Sequence, residues 1–575
     1  MTDQPKPDTS VPRRTHDVTA AGVTGASVAV FAAAVLAVLA GSLRPWLSAV
    51  SVALGLGVTM FAVRSGRERD AAGPGARLGV VEVLALAAFA ALSLRQFGWL
   101  VFERDGSLLT LLPYNYGDLP LHWTYIRHVA GGASFWPETP ILTATRLRYP
   151  LGVDLLSAVL LQLGGSLTVL LPLMGLAGAA WTAVALNRWG GPFAVAGFLF
   201  SGGLAGLQAL WTGQVFDYQS SVAWKSLYLA LFVPQRGYLL ALPAGLLLLW
   251  SWRERLLRGE PGLATWVEGL LWGILPLVHL HTFAFVSLIG LVWTLGGGRW
   301  RAALPTLAVA FVPASFGVLE VTDGLRAASL VGWRPGWMIG GEGALVFLLL
   351  NFGLYLPLAL AALVVAARRR DREALLVLGP ALAVFVLLFF VKVAPWEWDN
   401  TKVMLWCYLT SLPAIGTLVI ARLHPGPRAL ALFVLFFSGA ISVVGASLGR
   451  GPRLEVLEKA EYDGVCRALA PLGRDERVAT AQAHNHPVAL CGQPVVAGYG
   501  GHIWSHGLDG TLVQARLGRL LAGQGDYRAE ARALHARYVF WGSREQAAFP
   551  ASARPWASGP PLASGPWGAL YRLEW

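Results

Sequence analysis

Residues 343–370 read GALVFLLLNFGLYLPLALAALVVAARRR. No charge interrupts this run until Arg368-Arg369-Arg370. A helix needs roughly 20 apolar residues to cross a bilayer, and a basic cluster at its end marks the cytoplasmic side. The same pattern recurs along the chain. Thirteen apolar segments fall near 19–41, 47–63, 78–98, 166–186, 191–211, 237–251, 264–278, 283–296, 302–319, 343–366, 373–390, 403–420 and 429–448. Of the 575 residues, 55% are hydrophobic and only 14% charged, with a mean hydropathy of +0.55. These values exclude a soluble globular enzyme, a disordered chain and a disulfide scaffold, and three cysteines are too few for a framework. The sequence therefore predicts a polytopic α-helical membrane protein of about 13 spans.

Lysine and arginine counts set the orientation. Loops 1–18, 64–77, 187–190, 252–263, 297–301, 367–372 and 421–428 hold 19 basic residues in 67 positions. The alternate loops 42–46, 99–152, 212–236, 279–282, 320–342 and 391–402 hold 11 in 123. The first set is expected in the cytoplasm. This places the chain in a plasma (inner) membrane with its amino terminus inside and its carboxy-terminal region outside. The net charge of +12 then reflects cytoplasmic loops, not a nucleic-acid partner.

Four regions follow. Residues 1–18 are polar and proline-containing, and read as a disordered cytoplasmic tail. Residues 19–77 form an extra helical hairpin. Residues 78–448 form the main membrane body. Residues 449–575 form a small extracytoplasmic α/β domain, with strand-like runs at Arg477–Ala481, Pro494–Ala497 and Tyr538–Trp541 and a helix at Thr511–Ala522. Cys466 and Cys491 both lie in that domain, where an oxidising compartment would permit a disulfide; the sequence leaves its formation open. His484-Asn485-His486 and the glycine-rich Gly498–Gly507 lack the spacing of a zinc site. They are expected to cap the membrane cleft.

Polar residues concentrate on the external side, and polar groups near a bilayer are costly unless paired or hydrated. The first long external loop contains YNYGDLPLHWTYIRHVA at 114–130. Its spacing predicts an amphipathic interfacial helix over Leu119–Ala130, with Asp118 at its N-cap and Trp123 and Tyr125 as interface anchors. Tyr149-Pro150-Leu151-Gly152 then leads into another helix. Glu268 and Asn351, inside spans, read as helix-packing polar groups.

This layout resembles the membrane glycosyltransferases of the C-type (GT-C) fold, including the protein O-mannosyltransferase-like and aminoarabinose-transferase-like groups. In that superfamily the first large external loop carries an essential aspartate, followed by interfacial helices and a proline-leucine segment. Asp118 matches the acidic position and Tyr149–Gly152 the second element. The chain departs from the pattern in having Gly117 and Leu119 beside Asp118 in place of an acidic pair, and in its two extra helices.

The resemblance implies transfer of a sugar from a polyprenyl-phosphate donor, held in membrane lipid, to an external acceptor that is a glycan, a lipid or a protein. Asp118 would be the general base. Arg236, Lys225 and Lys402 would meet the phosphate charge. Trp396 and Trp398 would stack on sugar, and Glu397 and Asp399 would bind its hydroxyls. His122, Arg127 and Asp217 complete the polar cleft. His279 and His281 are expected to form hydrogen bonds. No carboxylate cluster demands a metal, although some members of the superfamily use a divalent ion. A lipid-linked substrate flippase and a non-catalytic envelope assembly protein are the competing readings.

Overall fold

The computed structural model describes residues 13–69, 78–213, 222–326, 331–449 and 453–574. Among these, eight helices are long and apolar enough to cross a membrane, or nine if the bent pair Ala344–Phe352 and Tyr355–Arg369 is one span. Their outer faces carry exposed apolar side chains such as Phe311, Val312, Leu345 and Leu430. Water would penalise such faces, and lipid accepts them. This is the build of a membrane protein.

The thirteen expected segments differ from these helices in instructive ways. Thr265–Val278 and Arg372–Leu387 are apolar helices of 14 and 16 residues, shorter than a full crossing, whereas Tyr238–Trp252 runs directly on into the π-helical turn Arg253–Arg258. The two segments around 166–211 are two helical stretches within Leu167–Leu199, separated where Gly190 and Gly191 leave helical geometry. The second stretch does not continue to 211. Beyond it, Gly203 lies so close to the backbone of Leu350 and Asn351 that a Cβ would clash. Residues 343–366 are likewise broken. The two halves meet at 89°, and Gly353 takes φ +53° at the break. Asn351 holds this corner. Its carbonyl oxygen accepts from Ala223 N and Trp224 N, both at 2.8 Å, so it is a loop anchor more than a helix-packing group. Glu268 sits between helices as expected, accepting from Arg255 at 3.1 Å and the Thr306 hydroxyl at 2.7 Å.

The extra hairpin, Arg13–Ala40 and Pro45–Arg69, starts within the expected tail and is built into the body. Gly25 and Gly55 bring its helices together so tightly that either Cβ would meet the other's carbonyl oxygen, as in close-packed membrane helices. Its Ser48 donates to Gln162 at 2.7 Å.

The carboxy-terminal region mixes strands and helices, and it is stitched to the loop that follows the helix Val80–Gly98. Strands β1 (Phe102–Arg104) and β2 (Ser107–Thr110) of that loop are joined by β5 (Leu454–Glu458) in an antiparallel sheet. Strands β3 (Gly332–Trp333) and β4 (Val391–Lys392) pair two further loops. The core sheet has the order β6-β7-β9-β8, with β6 at Arg477–Ala479, β7 at Ala536–Trp541, β8 at Ala563–Gly565 and β9 at Gly568–Arg572. The run Pro494–Ala497 forms only isolated bridges, to Leu142 and Val478. Buried Arg477 crosses the seam, donating to Glu138 at 2.8 Å and to Thr139 O at 3.0 Å.

Cys466 and Cys491 are disulfide-bonded, with a sequence separation of 25. The bond ties the helix Lys459–Leu469 to the short helix Pro487–Leu490, which leads to Gly492 against the Arg127–His128 backbone. A closed loop of this length limits the unfolded chain and stabilises by about 3 kcal/mol. Reductant, or Cys466→Ser with Cys491→Ser, should lower the melting temperature of this region. Differential scanning fluorimetry beside intact-mass analysis checks both the bond and its effect.

Candidate active site

The helix carrying Asp118 begins earlier than its apolar spacing predicts. It spans Pro113–Ala130, with Pro113 in its first turn and Leu112 at the N-cap. Proline is well placed there, since the first helical N–H groups lack intrahelical partners in any case. Asp118 therefore lies inside the helix and does not cap it. The helix is also largely covered by protein. Leu119, Leu121, Trp123, Tyr125 and Ile126 are all buried, because the carboxy-terminal region covers the outer face. Trp123 donates to Tyr462 OH at 3.1 Å across this contact.

Helical spacing puts Asp118, His122 and Tyr125 on one side. That side meets groups from four other elements. Asp154, on the helix Gly152–Gln162, is buried and central. One of its oxygens lies 2.7 Å from His122 Nδ1, and the other accepts from Arg236 Nε at 3.0 Å. Arg236 also donates to Ser157 Oγ at 2.6 Å, while its Nη1 is buried with no hydrogen-bond partner among the described residues. The ring of Tyr149 packs between Tyr125 and His506, 5.3 Å from each. A second ion pair, Lys402 Nζ to Asp399 at 3.0 Å, lies close enough to act on Asp118. Burial pushes the Asp118 carboxyl above its ordinary value. Asp399 adds to that rise, whereas His122 and Lys402 oppose it.

His279 and His281 stand beside this cluster because the chain turns between two helices. His279 is extended, at φ −162° and ψ 101°, and caps the helix Leu280–Gly297 by accepting from Thr282 N. Its ring packs against Tyr238 at a centroid distance of 4.3 Å, tilted by 38°, and lies 5.6 Å from His281. Tyr238 OH donates to Lys402 O at 3.2 Å, and His281 bonds the Val393 backbone. Both imidazoles thus brace the loop that carries Trp396–Lys402. Among the described residues no three His, Cys, Asp or Glu side chains converge as a metal site.

The other expected site residues fall elsewhere or at the rim. Arg127 points away from the cluster, its guanidinium 5.8 Å from the Tyr462 ring. Helical phase explains this, since it lies five positions after His122. Glu397 faces Arg334 at 3.4 Å. Lys225 sits 5.1 Å from the Tyr114 ring and 5.6 Å from Trp398. Asp217 lies outside the described residues.

Ser157 and Tyr238 complete the cluster without having been singled out by sequence, Tyr149 joins it from the Tyr149–Gly152 segment, and Asp154 reads in the sequence only as one polar residue among many on its side. Asp154 carried a readable signal, an aspartate opening an apolar helix, but its partner Arg236 is 82 positions away.

The glycine-rich segment lies against the Asp118 helix. His502 Nε2 meets Gly117 O at 3.0 Å, one residue before Asp118. His506 Nε2 lies 3.5 Å from Tyr125 OH. Burial, together with the positive charge of Lys402 on His506, pulls both imidazoles down to about 4 from an ordinary 6.5. The sign follows directly. Between pH 6.5 and 4 the open segment binds protons that the closed one refuses, so closure weakens as pH falls through that window. Hydrogen exchange at residues 498–510 should accelerate there, and His502→Gln with His506→Gln should flatten the dependence.

No protein-family profile and no curated protein matches the chain. Among solved structures it is similar to the Archaeoglobus fulgidus oligosaccharyltransferase. The apo form aligns at 13% identity with a TM-score of 0.40. The form tethered by a disulfide to an acceptor peptide containing the NVT sequon aligns at 12% identity with a TM-score of 0.35. Each alignment covers 80% of this chain and 69% of the other.

Proposed function

We propose that this protein is an integral-membrane glycosyltransferase that moves a sugar from a polyprenyl-phosphate donor to an acceptor on the extracytoplasmic face. One observation carries the reading. Asp118 stands beside His122, which Asp154 links to Arg236, and within reach of the Asp399–Lys402 pair. The acceptor hydroxyl passes its proton to the Asp118 carboxylate as its oxygen bonds to the anomeric carbon. The bond from that carbon to the phosphate oxygen breaks, and the lipid phosphate leaves with the electron pair. Its charge is met by Lys402 and by the unpaired Nη1 of Arg236. His122, held by Asp154, keeps a positive or hydrogen-bonding group beside Asp118.

The test is sugar release from labelled polyprenyl-phosphate sugars by purified protein, wild type beside Asp118→Asn, with a crude envelope extract as acceptor. Turnover that vanishes in the variant supports the reading. Tight lipid binding by both proteins with no turnover from any donor favours a flippase, for which the 89° helix break is the feature to pursue.

A further inference from the structure

The short helix Gly500–Ser505 has two sides. His502 and, just beyond its end, His506 face the Asp118 helix. Trp504 faces the other way, 54% exposed, into a separate groove of about 610 Å³ between this segment and the β3–β4 loops. That volume lies within the range of ligand sites. Glycines at 500, 507 and 510 form part of the wall, so backbone and the Gln514 amide are open to a ligand. The charged lining groups are Lys392 and Asp509, one of each sign. Both have protein partners: Lys392 donates to Pro395 O at 3.3 Å, and Asp509 accepts from Thr511 N at 3.0 Å.

A line of indoles leads inward from this groove. Trp504 lies 6.0 Å from Trp396, which lies 5.0 Å from Trp398. Trp398 adjoins Asp399, the partner of Lys402. Trp396 and Trp398 back the exposed Trp504 indole, whose face offers stacking to a flat apolar ring surface, and the Gln514 amide and Thr511 hydroxyl in the groove suit alcohols. Balanced charge disfavours a polyanion. A peptide in extended form would instead seek an open strand edge.

We infer that the Trp504 groove binds a neutral saccharide of two or more rings. As an acceptor site this rests on the transferase reading; as a binding site it does not.

The probes are neutral linear trisaccharides of mannose, glucose, galactose, arabinose and N-acetylglucosamine, with a neutral peptide mixture as comparator. Saturation-transfer NMR on the full-length protein in nanodiscs reads binding at millimolar concentration. At least one trisaccharide should receive saturation on its ring C–H protons. Binding should weaken about tenfold in Trp504→Ala, survive in Trp504→Phe, and persist in Asp118→Asn. No transfer to any trisaccharide overturns the inference. So does equal binding by Trp504→Ala, or displacement of the sugar by peptide. Turnover without groove binding removes the groove and leaves the transferase; binding without turnover does the reverse.

Discussion

Asp118→Asn should lower sugar transfer by about 10²–10⁴-fold, the usual contribution of a positioned general base, while leaving the protein folded. Stability and activity are expected to part company here because of the carboxyl's surroundings. Burial raises its proton affinity in the folded state, so the ionised form needed for catalysis is held against a desolvation cost. The neutral amide removes that cost. The variant should therefore melt at the same temperature as wild type or above it. The pH profile supplies a second reading. A base must be ionised, so wild-type turnover should fall on the acid side at a pH above that of an ordinary carboxylate. A variant that is inactive only because it is unfolded would show a lowered melting temperature, and that outcome would sink the assignment of Asp118.

Asp154→Ala should have the opposite signature. Asp154 and Arg236 are both buried and bonded at 3.0 Å, and the second carboxylate oxygen fixes His122. Deleting one member of a buried pair strands the other charge, which typically costs about 3–5 kcal/mol. Thermal unfolding should shift down sharply, with activity lost alongside. Replacing both partners by apolar residues, Asp154→Leu with Arg236→Met, should recover much of the stability and none of the turnover. If the single variant melts like wild type, the pair is not buried in the way described.

Much of this architecture can be read from the sequence, and the failures have physical causes. Apolar runs locate helices well because lipid enforces them, yet they do not show where a helix breaks. Asn351 looks like a packing residue until its partners, Ala223 and Trp224, are brought beside it. The gathering of Asp118, Arg236 and Lys402 was legible from sidedness alone. Arg127 was misplaced because sidedness carries no helical phase. Asp154 was passed over because its importance lies in a contact with a distant helix, and no local pattern encodes that. The Asp118 helix starts at Pro113, ahead of its expected first residue, because a proline suits a first helical turn and the apolar spacing begins only later.

The covering of the Asp118 helix by the carboxy-terminal region has a consequence for how the protein is made. Gly117 and His502 meet across 385 positions, and β2 waits for β5 to complete its sheet. During synthesis the amino-terminal helices and Asp118 emerge first, and domains fold in that order. Contacts of such separation form late. The surroundings of Asp118 are thus left uncovered until the carboxy-terminal region has been made. A ribosome that stalls before β5 yields a chain with the Asp118 helix in place but no covering, so the order of synthesis sets when this site is completed.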